Sequence, residues 1–140
     1  MIEAIPPLAR QEDLTGAQEF AKFFLAEYQD LMREDPRLFD ALAGDNCDFC
    51  ETVRTHYASV AETGHTLEGG EVIATAADSQ GGLREDGTWS LSLPIESRDL
   101  IEVDSNGTEV DRTEGGTGEA TLILEFKNHW IVVAVGAERG

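Results

Sequence analysis

Asn46-Cys47-Asp48-Phe49-Cys50-Glu51 holds both cysteines of the chain and lies where a helical first half prepares to give way to a strand-rich second half. Ahead of it, Ala17, Phe20, Phe24, Tyr28, Leu31 and Met32 recur at helical spacing, and Phe23 and Leu25 widen the stripe. Thr15-Gly16-Ala17-Gln18 has the form of a capping box, with Thr15 as N-cap, which predicts a helix over 16–33. Asp35-Pro36 is a second start signal, and Leu38, Phe39 and Leu42 give a short helix that Gly44 ends. Behind the cysteines, Cys50, Val53, Tyr57, Val60 and Ala61 share one face of a third helix, stopped by Gly64.

The period then drops to two. Residues 71–77 carry β-branched residues, and Ser79-Gln80-Gly81-Gly82 reads as a loop. Trp89, Leu91, Leu93 and Ile95 alternate with Thr88, Ser90, Ser92 and Pro94, one face buried and one wet. Pro94 has no N–H to give a ladder, so it predicts an edge or a bulge. Strands over 100–103 and 109–112 flank Asn106-Gly107, a strong hairpin signal. Residues 113–118 read as a flexible loop. Ala120, Leu122, Leu124 and Phe126 alternate again, Lys127-Asn128-His129 turns the chain, and 130–135 is so continuously apolar that a central, covered strand is expected.

Helices first and an antiparallel meander after is the α+β pattern. A chain of 140 residues makes one domain. We read 1–13 as a linker that Pro6-Pro7 holds extended, 14–136 as a single α+β domain and 137–140 as a tail. The expected architecture is roughly three helices on a curved antiparallel sheet of about four to six strands, whose open end is a natural ligand mouth. Tyr28, Tyr57, Trp89, His129 and Trp130 are the residues expected to line that pocket.

Charge excludes several functions. The chain carries 28 acidic residues against 10 basic ones, a formal charge of −18. Without a basic patch it has no means of holding a phosphate backbone, so nucleic acid is not an expected partner, and anionic lipid is disfavoured. No apolar run approaches the roughly 18 residues that would read as a membrane span, and no secretory signal opens the chain. Met1-Ile2-Glu3-Ala4 fits a native start and a processed start equally.

Four chemistries compete for Cys47 and Cys50. Zinc needs about four ligands, and His56, His65 and His129 are scattered. A redox pair needs a stabilised thiolate, whereas Asp48 and Glu51 repel one. A reduced pair suits the cytosol. A local disulfide that staples the start of the third helix is the expected answer, worth on the order of 1–2 kcal/mol because the loop it closes is so short. Asp104 to Glu109 resembles a calcium loop only faintly, with its glycine misplaced, and a hairpin explains it. No phosphate-binding glycine loop or nucleophile elbow is present, and Glu96, Glu102 and Glu125 are expected to face water, so we assign no catalytic residue, metal or cofactor.

The capped, Phe-rich first helix, the Cys47-x-x-Cys50 pair before a long helix, Gly69-Gly70 ahead of the first strand and the closing Trp130 strand together resemble an actinobacterial domain of unknown function, over roughly residues 14–136. That domain is typical of the extracytoplasmic part of lipoproteins, and its order of elements is similar to the nuclear-transport-factor-2-like, cystatin-like cone. The resemblance implies an extracytoplasmic location, with cytoplasmic as the alternative, and brings no catalytic residues. This sequence has no lipid-bearing cysteine, so any lipid anchor would lie outside it. Cones of this kind often pair through the sheet face, which makes a homodimer a further expectation. The function that fits best is a non-catalytic module that binds a protein partner or a small ligand. The alternative is a small-molecule enzyme, of isomerase or hydrolase type, using the cone pocket. A buried carboxylate facing Tyr28 or Tyr57 would favour that alternative.

Overall fold

The computed structural model describes residues 4–139. Three helices, α1 (Leu14–Glu34), α2 (Pro36–Leu42) and α3 (Asp48–Glu62), precede eight strands: β1 (Thr66–Gly69), β2 (Val72–Ala74), β3 (Gln80–Leu83), β4 (Trp89–Ser97), β5 (Leu100–Val103), β6 (Glu109–Thr113), β7 (Gly116–Lys127) and β8 (His129–Arg139). The class is α+β, as expected. The helices pack on antiparallel sheet: β2-β4-β7-β8, with β3 also paired to β4, makes five strands, and β1-β5-β6 makes three.

The two sheets are one set of ribbons broken along a line. β1 runs on into β2, β4 into β5 and β6 into β7, and the neighbours keep the same order on both sides of the break. The registers leave the same gap in each ribbon: Gly69 pairs with Leu100 and Val72 with Ser97, while Leu100 pairs with Thr113 and Ser97 with Gly116. Asp99 organises this crease. Its carbonyl accepts the Gly70 N–H at 2.9 Å. Its carboxylate accepts the Gly115 N–H at 2.9 Å and Arg112 Nη1 at 2.6 Å. These bonds, the Gly115 amide foremost, hold the Asp99 carboxyl below its usual range. Gly69 and Gly70 both sit at φ 77°, and a Cβ at Gly69 would lie 2.4 Å from the Asp99 carbonyl oxygen, so glycine is required there.

The core fills the space between helices and sheet. Phe20, Phe24, Phe39 and Trp130 are at most 1% exposed, and they meet Leu91, Leu93, Leu122, Leu124 and Val132 from the sheet. The inward set on β4 and β7 is the alternating apolar set of the sequence. The third helix starts one residue after Cys47, whose Sγ accepts the Cys50 N–H at 3.1 Å. Cys47 and Cys50 form a disulfide, and both are buried.

Several expectations change. Asp13, not Thr15, caps α1: its carboxylate accepts the Gly16 N–H at 2.7 Å, so the helix starts at Leu14 and Thr15 lies inside it. Residues 4–13 do not behave as a linker. Pro7–Arg10 form a 3-10 turn, Ile5 and Ala9 are 1% exposed, and Trp130 Nε1 donates to the Gln11 carbonyl at 2.9 Å. Residues 1–3, which include the start at Met1, and Gly140 lie outside the described residues. Gln80–Leu83 is a strand and not a loop, joined to β4 through a turn in which Asp86 accepts the Thr88 N–H at 2.9 Å and Gly87 takes φ 87°. Residues 113–118 and 137–139, read as loop and tail, belong to β6, β7 and β8 except for 114–115. Pro94 lies within a strand paired on both sides. Its carbonyl accepts from Thr75 N–H where β2 has ended and β3 has not begun, so its missing N–H faces a gap in the ladder. The apolar strand β8 is an edge strand, not a central one. Among the described residues no helix is long and apolar enough to cross a membrane.

Candidate functional site

The five residues expected to share a pocket are held in two places. Trp130 is 1% exposed, ringed by Phe20, Trp89 and Phe126 with centroids at 6.4, 5.6 and 5.0 Å. Trp89 is therefore a wall of the core and not of a cavity. His129 reaches across to α2, its Nε2 2.9 Å from the Ala41 carbonyl, and because a carbonyl only accepts, that nitrogen carries the proton. None of these three opens on a cleft with the tyrosines.

Tyr28 and Tyr57 do come together, around a residue the sequence did not single out. Gln29 is 8% exposed at the end of α1 nearest β1. Its Nε2 donates to the Tyr28 hydroxyl at 3.2 Å, and its Oε1 accepts a short hydrogen bond from the Tyr57 hydroxyl. Tyr28 also stacks on Phe24 and meets Phe49 edge-on at 5.2 Å. Phe49 stands between the two cysteines, so the disulfide fixes one neighbour of this group. Gly70 makes room for the carboxamide: a Cβ there would lie 3.1 Å from Gln29 Nε2. Burial pushes the Tyr28 phenol up, against a smaller downward pull from Gln29. Burial likewise raises Tyr57 to about 12, so at neutral pH it is a hydrogen-bond donor and not a base.

Beside this clasp, between α1, α3 and β1, lies a cleft of about 460 Å³. Val60, Ala61 and Leu67 supply apolar lining; Tyr57, Arg33 and His65 supply polar groups. Arg33 is occupied in structure, donating from Nε to the Leu67 carbonyl at 3.0 Å and from Nη2 to the Gly69 carbonyl at 2.7 Å. Its fork ties α1 to β1 at the crease. His65 donates from Nδ1 to Glu102 at 2.6 Å, so Glu102 faces a histidine and not open water. Glu125 pairs with Lys127 at 3.0 Å, and Glu96 is exposed as expected.

A carboxamide thus faces the tyrosines, where an isomerase-like site would want a carboxylate. The His65–Glu102 pair has the form of a base with its orienting carboxylate, and the aliphatic hydroxyl beside it in the cleft lining is Thr66. Among the described residues no group of three or more His, Cys, Asp or Glu could hold a metal ion. The stretch 104–109 is the hairpin turn expected of it, with Asp104 Oδ1 accepting the N–H groups of Asn106 and Thr108 at 2.9 and 3.0 Å. Gln29 left one trace in the sequence: it continues the Ala21, Leu25 row at i+4, a polar residue on the buried row of an amphipathic helix.

No curated protein matches the chain. Among solved structures, the intermembrane space region of the chloroplast protein ARC6 is similar with a TM-score of 0.63 and 10% identity, over 93% of this chain and 99% of that one. At that identity the likeness is one of fold. Aln2 from a Streptomyces species is similar at a TM-score of 0.45 and 12% identity, over 86% and 89% of the two chains. An uncharacterised protein with a cystatin-like fold from Caulobacter vibrioides is similar at 0.47 and 9%, over 87% of each. Both scores are too low to carry an argument. Residues 4–136 match the model of DUF6318, a family of unknown function.

Proposed function

The chain belongs to DUF6318, a family of unknown function, and from that premise we propose that it is a non-catalytic binding module whose ligand site is the cleft between α1, α3 and β1. One observation carries this reading: Gln29, Arg33 and His65, which stand around the cleft, are committed to internal hydrogen bonds. Gln29 is held between two phenols, Arg33 between two β1 carbonyls and His65 against Glu102. What they leave for a ligand is the apolar surface of Val60, Ala61 and Leu67 beneath a polar rim, the make-up of a small-molecule site. The ligand that fits is small and largely apolar, with a polar end for the second ring nitrogen of His65 and for Thr66.

An oxidising, extracytoplasmic location goes with this reading. Its support is the buried Cys47–Cys50 disulfide, since such bonds are rare in the cytosol. The resemblance to actinobacterial lipoprotein domains adds a lipid anchor upstream of this sequence. The test is a solvatochromic apolar dye, anilinonaphthalene sulfonate, titrated into the protein. Dye binding should be saturable in the parent and lost in Ala61→Trp, which fills the cleft from the surface of α3. Equal binding in both would refute the site.

A further inference from the structure

Strand β8 is the last of its sheet and, among the described residues, the longest edge strand. It runs for 11 residues. Among the described residues, pairing on its outer side is the isolated parallel bridge of Ala43 with Val132, where the Gly44 N–H meets the Val132 carbonyl at 2.7 Å. Past that point Ala134, Gly136 and Ala137 are exposed. Sheets usually guard such an edge with lysine, proline or a very short strand. From Ile131 to Ala137 β8 has no charged residue and no proline, and its one irregularity is the bulge opposite Ile123 and Leu124.

Two acidic side chains stand next to the open part of this edge. Glu119 and Glu138 are directly paired across β7 and β8, so their carboxylates stand side by side on one face, an arrangement that costs stability. Among the described residues no base bridges either of them. They border a hollow of about 340 Å³ together with Thr121 and Gly136. At the other end of β8, where Ala43 and Gly44 already meet the edge, Glu125 is paired with Lys127 beside a second hollow floored by Ile131 and Val133. An extended strand laid along β8 past Val132 would carry alternate side chains over the hollow at Glu119 and Glu138.

We propose that the free edge of β8 takes up an extended segment of a partner protein in which lysine or arginine alternates with apolar residues. The segment adds a further strand through main-chain hydrogen bonds along the part of β8 past Val132, and its basic side chains neutralise Glu119 and Glu138. Charge selects this occupant over a second copy. Another molecule of this chain would bring a further formal charge of −18 and set Glu138 against more acid. The site is separate from the cleft of α1, α3 and β1, so either stands if the other fails.

The test uses a short fluorescein-labelled peptide that alternates lysine with valine, titrated against the whole chain by fluorescence anisotropy. Binding should be saturable and about tenfold weaker in the Glu119→Lys/Glu138→Lys variant, whose fold is checked by circular dichroism. Amide shifts on binding should centre on Ala134 and Gly136. A peptide of the same sequence with alternate backbone nitrogens methylated keeps the charge but lacks the donors, and should not bind. Equal binding of the methylated peptide would overturn strand addition in favour of plain charge attraction. Absence of binding by either peptide would overturn the proposal, as would a sedimenting dimer that excludes the peptide.

Discussion

Gln29→Leu keeps the volume and helix preference of position 29 and removes both ends of the carboxamide. Two hydrogen bonds disappear, to the Tyr28 and Tyr57 hydroxyls, each worth about 1 kcal/mol net. The phenols are also left without their partner. Tyr57 borders the cleft, where water can replace it, whereas Tyr28 is enclosed by Phe24 and Phe49 and bears most of an unsatisfied-group cost of about 1–3 kcal/mol. Leucine returns part of this through its buried methyls, which leaves a net loss of about 2 kcal/mol. For 140 residues, with an unfolding entropy near 2.1 cal/mol/K per residue, that is a fall in Tm of about 7 °C. Urea unfolding followed by tryptophan fluorescence measures it, because Trp130 lies in the core away from the substitution. A second readout is specific to the clasp. The Gln29 hydrogen bond pulls the Tyr28 phenol down against burial, so its removal must push Tyr28 higher still in a spectrophotometric titration. A stability loss below about 0.5 kcal/mol, or a Tyr28 that titrates lower, would refute the clasp.

Reduction of Cys47–Cys50 should leave the protein folded and cost about 2 kcal/mol by loop entropy, read as a drop of several degrees in calorimetry with and without a phosphine reductant. Outright unfolding on reduction would refute the local-staple account. At the crease, the Asp99 carboxyl is held below its ordinary value of 3.8 when folded, so its contribution is present above that pH and is lost as pH falls through the folded value. Asp99→Asn should therefore flatten part of the acid limb of a stability–pH curve and speed hydrogen exchange at the Gly115 amide. Tyr57 has the opposite sense. Its phenol is raised from 10.0 to about 12, so its contribution is present below pH 10 and lost between there and about pH 12, and Tyr57→Phe should remove that alkaline step.

The elements were legible where burial and period agree. The Phe20–Phe24 stripe, the alternation through Leu91 and Leu93, and the Asn106-Gly107 turn all read correctly, because one face of each element meets one core. Cys47 and Cys50 read correctly from chemistry, through the absence of other ligands and the acidic neighbours. Lateral position in the sheet was not legible. β8 is as apolar as a central strand because Trp130 and Val132 fill the core while Ile131 and Val133 face outward at an edge, and strand neighbours are a property of register, not of composition. The crease was equally hidden. Gly69-Gly70 was visible as a pair, but its meeting with Asp99 and Gly115 joins residues from three ribbons. Gln29 escaped because a polar residue on a buried row reads as an ordinary surface position until its partners, Tyr57 above all, arrive from another helix. Residues 4–13 misled because two prolines suggest extension, and nothing local shows that Ile5 and Ala9 have a core to enter.

The central claim is that the α1–α3–β1 cleft binds and does not react. It is tested most directly by a two-dimensional amide and methyl NMR titration of the oxidised chain with a library of small, largely apolar molecules that carry one polar group. The account predicts that binders shift Val60, Ala61 and Leu67 together, with the spectrum of the bound molecule unchanged over time. Shifts confined to other parts of the surface, or signals of a converted molecule, would contradict it.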